Sequence, residues 1–172
     1  MDNGQNRRPL VAAGTLIGIG MGGFVDGILF HQMLQLHNML TARYPKTGVD
    51  AATAVVNIEI NMFWDGLFHA FGWVALVAGL FLRSDLRRRG TARPARVWAG
   101  GLLGWGGFQL YDGLVQHKLL RLHQVRYHVD LLPYDLAWDL SGVAGLVVGA
   151  ALLARTRRGG RGAAPGPGRS RA

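Results

Sequence analysis

The apolar residues of this chain gather into four blocks, and this arrangement limits the folds that it can adopt more than any other feature. The blocks cover residues 10–36, 54–82, 97–120 and 134–154. Each holds about 20 residues or more, which is enough for a helix to cross a bilayer. Soluble helices rarely concentrate their apolar residues in this way. The sequence therefore predicts an all-α membrane protein, with four transmembrane helices within residues 10–155.

The basic residues predict how these helices are oriented. The net charge is +9, and 14 of the 19 basic residues lie at one side of the blocks. They are Arg7, Arg8, Arg83, Arg87, Arg88, Arg89, Arg93, Arg96, Arg155, Arg157, Arg158, Arg161, Arg169 and Arg171. The positive-inside rule then places both termini and the middle connection in the cytoplasm. Because topology explains the basic surplus and no recognition motif accompanies it, nucleic-acid binding is not expected.

The ends of the chain differ in composition from the blocks. Residues 1–9 are predicted to form a short cytoplasmic lead, and residues 156–172, rich in Gly, Pro and Arg, a disordered basic cytoplasmic tail. The chain has no cysteine, which excludes disulfides and thiolate metal ligands. Any site must use oxygen, imidazole or thioether groups.

Glycines recur in the first block at a spacing that suits helix packing. Gly14, Gly18 and Gly22 are four residues apart and would line one helix face, allowing a neighbouring helix to approach closely. The letters Gly18-x-Gly20-x-x-Gly23 fit a dinucleotide fingerprint, but no βαβ unit surrounds them. The glycines therefore predict a packing face, and nucleotide binding is not expected.

A polar motif closes the first block and returns 86 residues later at the end of the third. The segments 26–37 and 112–123 both read Asp-Gly-apolar-apolar-x-His-x-apolar-Leu-x-Leu-His. Block four repeats block two more loosely, with Trp138-Asp139 for Trp64-Asp65 and no counterpart of His69. The chain is thus predicted to be a duplicated helical hairpin, with repeats at about 10–82 and 97–154. The pseudo-twofold axis would run along the membrane normal.

Every predicted helix carries one aspartate at a matched depth. Each lies 16 or 18 residues from a cytoplasmic arginine, or about 24 to 27 Å along a helix. In a hydrocarbon core of about 30 Å, the four fall in one layer in its outer third. They are Asp26, Asp65, Asp112 and Asp139. His69 would lie one turn deeper, on the face of Asp65.

The other histidines of the motif are expected nearer the outside. His31 and His117 would lie about 7 Å beyond the aspartates, level with Glu59. His37 and His123 would lie further out, as ligands at the mouth of a site. All of these residues belong to the outer half of the predicted bundle.

The five-residue spacing within the motif conflicts with α-helical geometry. Five residues turn an ideal α-helix by about 140°, so Asp26 and His31 would not share a face. A π-bulge near Gly27 and Gly113 would bring each aspartate to its histidine, and such bulges favour functional sites.

Common depth and duplication favour a transition-metal site. Any one of these residues could instead cap a helix or pair with a nearby cationic side chain. As a set, however, carboxylates without a partner in this layer would become protonated, whereas a divalent cation keeps them ionised. The predicted ligands are His31, His117, His69, Asp26, Asp65, Asp112, Asp139, Glu59, His37 and His123. Copper, iron and zinc all fit carboxylate and imidazole. Four methionines in the first repeat favour copper slightly, namely Met21, Met33, Met39 and Met62.

The motif Asp-Gly-x-x-x-His-x-x-Leu-x-x-His, its partner Trp-Asp-Gly-x-x-His and the four spans resemble a bacterial family of four-helix integral membrane proteins. That family is a domain of unknown function, and the resemblance covers about residues 10–155. It implies a multi-pass location in the inner (plasma) membrane and a link to the copper assembly of respiratory oxidases. Another membrane protein or a respiratory complex would then be a partner.

Three functions are consistent with this pattern. The first is metal handling or redox chemistry at a bound transition metal. The second is a proton or ion conductor that uses the buried carboxylates. The third is a structural membrane subunit. The pattern singles out no catalytic residue, so it does not decide whether the protein is an enzyme.

Overall fold

The fold consists of helices joined by two long connections and one short one. The computed structural model describes residues 8–91 and 93–158, with side chains as far as residue 156. Within these residues there are four helices and no strand, namely α1 (Arg8–Phe24), α2 (Ala51–Arg88), α3 (Pro94–Leu110) and α4 (Leu132–Arg158). Helices α1 and α3 each continue directly into a π-helical segment, Val25–Met33 and Tyr111–Leu119. The predicted all-α class is confirmed.

The ends of α2 and the start of α3 follow from local sequence. Asp50 is extended and its carboxylate accepts a hydrogen bond from the Thr53 amide at 3.1 Å, which caps the first turn of α2. Gly90, with a φ of 74°, lies just beyond α2 and turns the chain. Pro94 occupies the first turn of α3, where a missing amide hydrogen costs nothing.

Helices α1 and α3 form the centre of the bundle and run parallel at very short range. A Cβ added to Gly18 would fall on the carbonyl oxygen of Gly101, and one added to Gly104 would fall on that of Thr15. The two backbones are therefore in direct contact, and the predicted packing face of α1 is confirmed. Helix α2 packs on the other side of α1, and α4 packs on α3.

Among the residues that the structure describes, three helical segments are long and apolar enough to span a membrane, judged by length and composition. They are Arg8–Met33, Ala51–Arg88 and Leu132–Thr156. Large apolar side chains cover their outer surfaces, as at Phe63 and Phe81, which expose 63% and 71% of their area. Such a continuous apolar exterior is typical of contact with lipid. The helix Pro94–Leu119 is less apolar, because its second half carries Gln109, Asp112, Gln116, His117 and Lys118.

The two long connections meet at the end of the bundle where the π-helical segments finish. The Ala42 amide donates to the Leu122 carbonyl at 3.0 Å, which joins the connections 34–50 and 120–131. Helix α4 continues to Arg158, slightly past the predicted start of the tail. The rest of that tail, and the lead before Arg8, lie outside the described residues.

Candidate metal centre

The π-helical segments bring each aspartate of the motif against the histidine five residues later. Their hydrogen bonds reach back five residues, as from the Leu34 amide to Leu29 at 2.8 Å, so residues five apart lie one above the other. His31 Nε2 lies 3.5 Å from Asp26 Oδ2, and His117 Nε2 lies 2.8 Å from Asp112 Oδ2. The predicted π distortion is confirmed, and it extends over nine residues in each segment.

The second histidine of each motif lies in the same cluster. Just after the π-helical segments, Gln35 and Arg121 adopt left-handed φ values of 49° and 50°, which turn the chain back toward the bundle. His37 and His123 are consequently buried, with none of their surface exposed. The prediction that they lie at the mouth of the site is wrong, because it extended the helices straight outward.

His37 and His123 are held by reciprocal hydrogen bonds. His37 Nδ1 donates to the Val125 carbonyl at 2.9 Å, and His123 Nδ1 donates to the Met39 carbonyl at 3.0 Å. Each ring thus bonds to the residue two positions beyond the other ring. The rings stack with centroids 4.7 Å apart and an angle of 9° between their planes.

These bonds fix the tautomer of both rings. A carbonyl oxygen only accepts, so each Nδ1 must carry the hydrogen, and Nε2 of a neutral ring then presents a lone pair. His37 Nε2 lies 3.7 Å from Asp26 Oδ1, and His123 Nε2 lies 3.5 Å from Asp112 Oδ1. Burial lowers the pKa of His37 despite the nearby carboxylate of Asp26, which favours the neutral ring. On both sides of the stacked pair, Nε2 therefore faces a carboxylate oxygen.

Many ligand-type atoms in this cluster have no hydrogen-bond partner among the described residues. They are both carboxylate oxygens of Asp26 and of Asp112, and Nε2 of His31, His37, His117 and His123. All six side chains are buried, none exposing more than 6% of its area. Their nearest polar neighbours are one another, at 2.8–3.7 Å, and a cation between them would satisfy all of them together.

The spacing of these atoms suits a metal ion. Two ligand atoms at the usual 2.0–2.1 Å from a tetrahedral ion are about 3.4 Å apart. The four aspartate–histidine distances in the cluster range from 2.8 to 3.7 Å. Two groups could hold an ion, with ligand atoms within 4.8 Å of one another. One consists of His31, His37 and His123, and the other of Asp112, His117 and His123.

Asp65 lies behind His31 and supports it. His31 Nδ1 donates to Asp65 Oδ1 at 3.0 Å, and the Met39 amide donates to the same oxygen at 2.9 Å. The amides of Gln32 and Asn38 donate to Asp65 Oδ2 at 3.1 and 2.5 Å. Both oxygens are therefore occupied, and the carboxylate can orient the imidazole and strengthen it as a ligand.

The three remaining predicted ligands lie outside the cluster. His69 is half-buried, and its Nδ1 donates to the backbone carbonyl of Asp65 at 2.6 Å. Asp139 pairs with Lys118. Glu59 is exposed to the surroundings. A count of positions along each helix could not show which way these three side chains face.

Sequence reasoning missed Gln32 and Asn38, which complete the surroundings of Asp65. The signal for them lies in the repeat, because both positions are polar in each half. Gln32 corresponds to Lys118, which donates to Asp139 as Gln32 donates to Asp65. Asn38 corresponds to Gln124.

Two cavities of different character reach the cluster. One of about 630 Å³ opens between the π-helical segment Val25–Met33, α3 and α4, is lined mainly by apolar side chains such as Phe30 and Trp138, and extends to Asp26. The other, of about 310 Å³, touches His117 and His123 and is lined by charged groups including Arg121. The cluster can thus be approached from the apolar flank and from the polar end of the bundle.

Comparison with known proteins identifies the family but no activity. A family model described as "Predicted membrane protein (DUF2243)" matches residues 13–156. No curated protein and no solved structure matches the chain. Because the match covers most of the sequence, the chain belongs to the DUF2243 family of predicted membrane proteins, as the resemblance to a membrane family of unknown function had indicated.

Proposed function

We propose that this protein is a four-span membrane protein that binds a transition metal through buried aspartates and histidines at one end of its bundle. The observation that carries the proposal is the tautomer of the stacked histidines. His37 and His123 are each held with Nδ1 as a donor to a carbonyl, so only Nε2 of each ring is left for an ion, and it faces a carboxylate oxygen. A metal ion is the partner that both groups can share.

The proposed topology rests on the helix lengths and the arginines. The helix Pro94–Leu119 is as long as Arg8–Met33 and runs beside it at backbone contact, so it would cross the membrane with it. Four spans with arginines at one side give cytoplasmic termini and an outward-facing site. The matching contacts of the two motifs support an origin as a duplicated hairpin. The bacterial inner membrane is the proposed location.

The ligand set does not select one metal. Imidazole and carboxylate suit iron, zinc and copper. Three of the methionines that favoured copper, Met21, Met33 and Met62, expose between 42% and 71% of their surface and lie away from the cluster. The uses that we propose for the ion are delivery to another membrane protein, such as a respiratory complex, and redox chemistry at the site.

A proton relay is the second candidate, and a chain of hydrogen bonds favours it. His31 donates to Asp65, Asn38 donates to the same carboxylate, and Lys46 donates to the Asn38 oxygen at 2.6 Å. The chain leads from the buried cluster to the end of the bundle. Burial lowers the pKa of Lys46, although Asp65 opposes that shift, so this amine gives up its proton more readily than usual.

Elemental analysis of the purified protein separates these functions. Wild-type protein from cells grown with added iron, copper and zinc should retain stoichiometric metal after desalting. His31→Gln should lose much of it, and His128→Gln should retain it, because His128 is exposed in a connection. If the wild type carries no metal, proton flux into proteoliposomes becomes the test of the relay.

A further inference from the structure

We infer that the centre holds two metal ions, one in each of two equivalent half-sites built from one aspartate and two histidines. The first half-site is Asp26, His31 and His37, and the second is Asp112, His117 and His123. This inference rests on the proposed metal-binding function and specifies how many ions the centre takes.

The number of available nitrogen atoms requires this division. His123 belongs to both of the groups that could hold a metal. Its Nδ1, however, is committed to the Met39 carbonyl, so only Nε2 remains for an ion. A single nitrogen lone pair serves one ion, and the two groups cannot both be filled with His123 as a shared ligand. Asp26, which contacts Nε2 of both His31 and His37, completes the first half-site in its place.

Within each half-site the carboxylate oxygens lie 2.8–3.7 Å from the histidine nitrogens, and the ligand atoms of the second half-site also all lie within 4.8 Å of one another. Asp26 Oδ2 and Oδ1 lie 3.5 and 3.7 Å from Nε2 of His31 and His37. In the second half-site, Asp112 Oδ2 and Oδ1 lie 2.8 and 3.5 Å from Nε2 of His117 and His123. Both aspartates thus direct one oxygen toward each of their two histidines, in the same order along the chain.

Across the half-sites the stacked rings of His37 and His123 are 4.7 Å apart, and two other ring pairs are wider. The centroids of His31 and His123 are 5.8 Å apart, and those of His37 and His117 are 6.0 Å apart. Within a half-site the ring pairs are closer, at 4.5 Å for His31 and His37 and 4.6 Å for His117 and His123. His31 and His117 never fall in one group of potential ligands. Two adjacent ions use all six side chains, whereas one ion leaves some of them unpaired.

The two half-sites differ in their surroundings, so their ions should differ in affinity. Asp65 accepts the hydrogen of His31 and adds negative charge beside the first half-site. In the second, Asp139 pairs with Lys118 and His117 Nδ1 has no partner among the described residues. The cavity of about 310 Å³ also reaches His117. The second ion should therefore bind more weakly and exchange faster.

Metal counting with variants of each half-site tests the inference. Full-length protein in detergent should bind two copper(II) ions per chain. Asp26→Asn and His31→Gln should each keep one, Asp112→Asn and His117→Gln should each keep one, and Asp26→Asn with Asp112→Asn should keep none. Asparagine and glutamine preserve size, and helical signal and monodispersity verify the fold. His128→Gln should behave as wild type.

Magnetic coupling gives an independent result. Copper(II)-loaded wild type should show spin–spin coupling between adjacent ions, and each half-site variant should show an isolated ion. A competing chelator should first remove the ion that Asp112→Asn lacks. One ion per chain in the wild type, lost completely in either half-site variant, would overturn the two-ion inference and leave metal binding intact. No ion in the wild type would overturn metal binding itself.

Discussion

His31 donates a hydrogen bond to Asp65 across 3.0 Å, while the equivalent nitrogen of His117 has no partner among the described residues. The two motifs are alike in sequence and in their contacts to Asp26 and Asp112, so this bond is the main difference between them. The hydrogen bond from His31 to Asp65 fixes the orientation of the His31 imidazole and raises its basicity, and the His117 imidazole lacks this support.

Replacing Asp65 by asparagine should therefore weaken metal binding, although all six proposed ligand side chains remain in place. Asp65→Asn removes the acceptor of the His31 hydrogen and a negative charge, and we expect metal affinity to fall about 10- to 100-fold. Asp139→Asn is the matched control, because Asp139 pairs with Lys118. Competition titration with a chelator measures both variants. An equal loss in the two would contradict the role that we give to Asp65.

The bonds between the stacked histidines and the opposite connections should make the two residues depend on each other for stability. Removing His37 leaves the buried Val125 carbonyl without its partner, at a cost of about 1–3 kcal/mol, and His123→Ala removes the partner of the half-buried Met39 carbonyl. Because each change also loosens the segment that holds the other ring, the two effects should not add. We expect a coupling of about 0.5–3 kcal/mol in a double-mutant cycle.

Denaturant unfolding of metal-free protein measures this coupling, since no ion then contributes to stability. His37→Ala, His123→Ala and the double variant complete the cycle with wild type. Strict additivity would mean that the two connections fold independently of each other.

A methyl group on the α3 face that touches α1 should destabilise the bundle, whereas one on the open face should not. Gly104→Ala would place its Cβ on the Thr15 carbonyl oxygen and push the two helices apart, at about 1–3 kcal/mol. Gly107→Ala, one turn further along, meets nothing within 4 Å. Thermal unfolding in detergent compares the two, and Gly107→Ala should match or slightly exceed wild type.

The arginine distribution predicts where each connection lies. Topology reporters fused after Arg88 and at Ala172 should report the cytoplasm, and one near Thr47 should report the outside. A cytoplasmic signal at Thr47 would place the aspartate–histidine cluster at the inner face of the membrane and reverse its proposed access.

Parts of the site could be predicted because a spacing conflicted with a helix. Asp26 and His31 cannot share a face of an α-helix, so their recurrence at this spacing in both halves predicted the π distortion. The packing face at Gly18 could also be predicted, because glycines that repeat every four residues in a membrane helix commonly allow a neighbouring helix to pack closely.

The return of His37 and His123 into the cluster could not be predicted. The chain turns at Gln35 and Arg121, and neither is the glycine or asparagine that usually marks a left-handed turn. The apolar residues around them continue the pattern of the helix. What stabilises these turns is a pair of hydrogen bonds to residues more than 80 positions away in the chain, and local sequence carries no signal of such partners.

The reciprocal bonds also constrain the order of biogenesis. His37 is 88 residues from its acceptor and His123 is 84 residues from its own, so neither ring is anchored until both connections have been synthesised. When the first hairpin enters the membrane during translation, Asp26, His31 and His37 are present, but the segment that orients His37 still lies ahead. If the protein binds metal as proposed, insertion of the first hairpin and loading of the metal would be separate events, because loading would wait for the connection 120–131 to be synthesised.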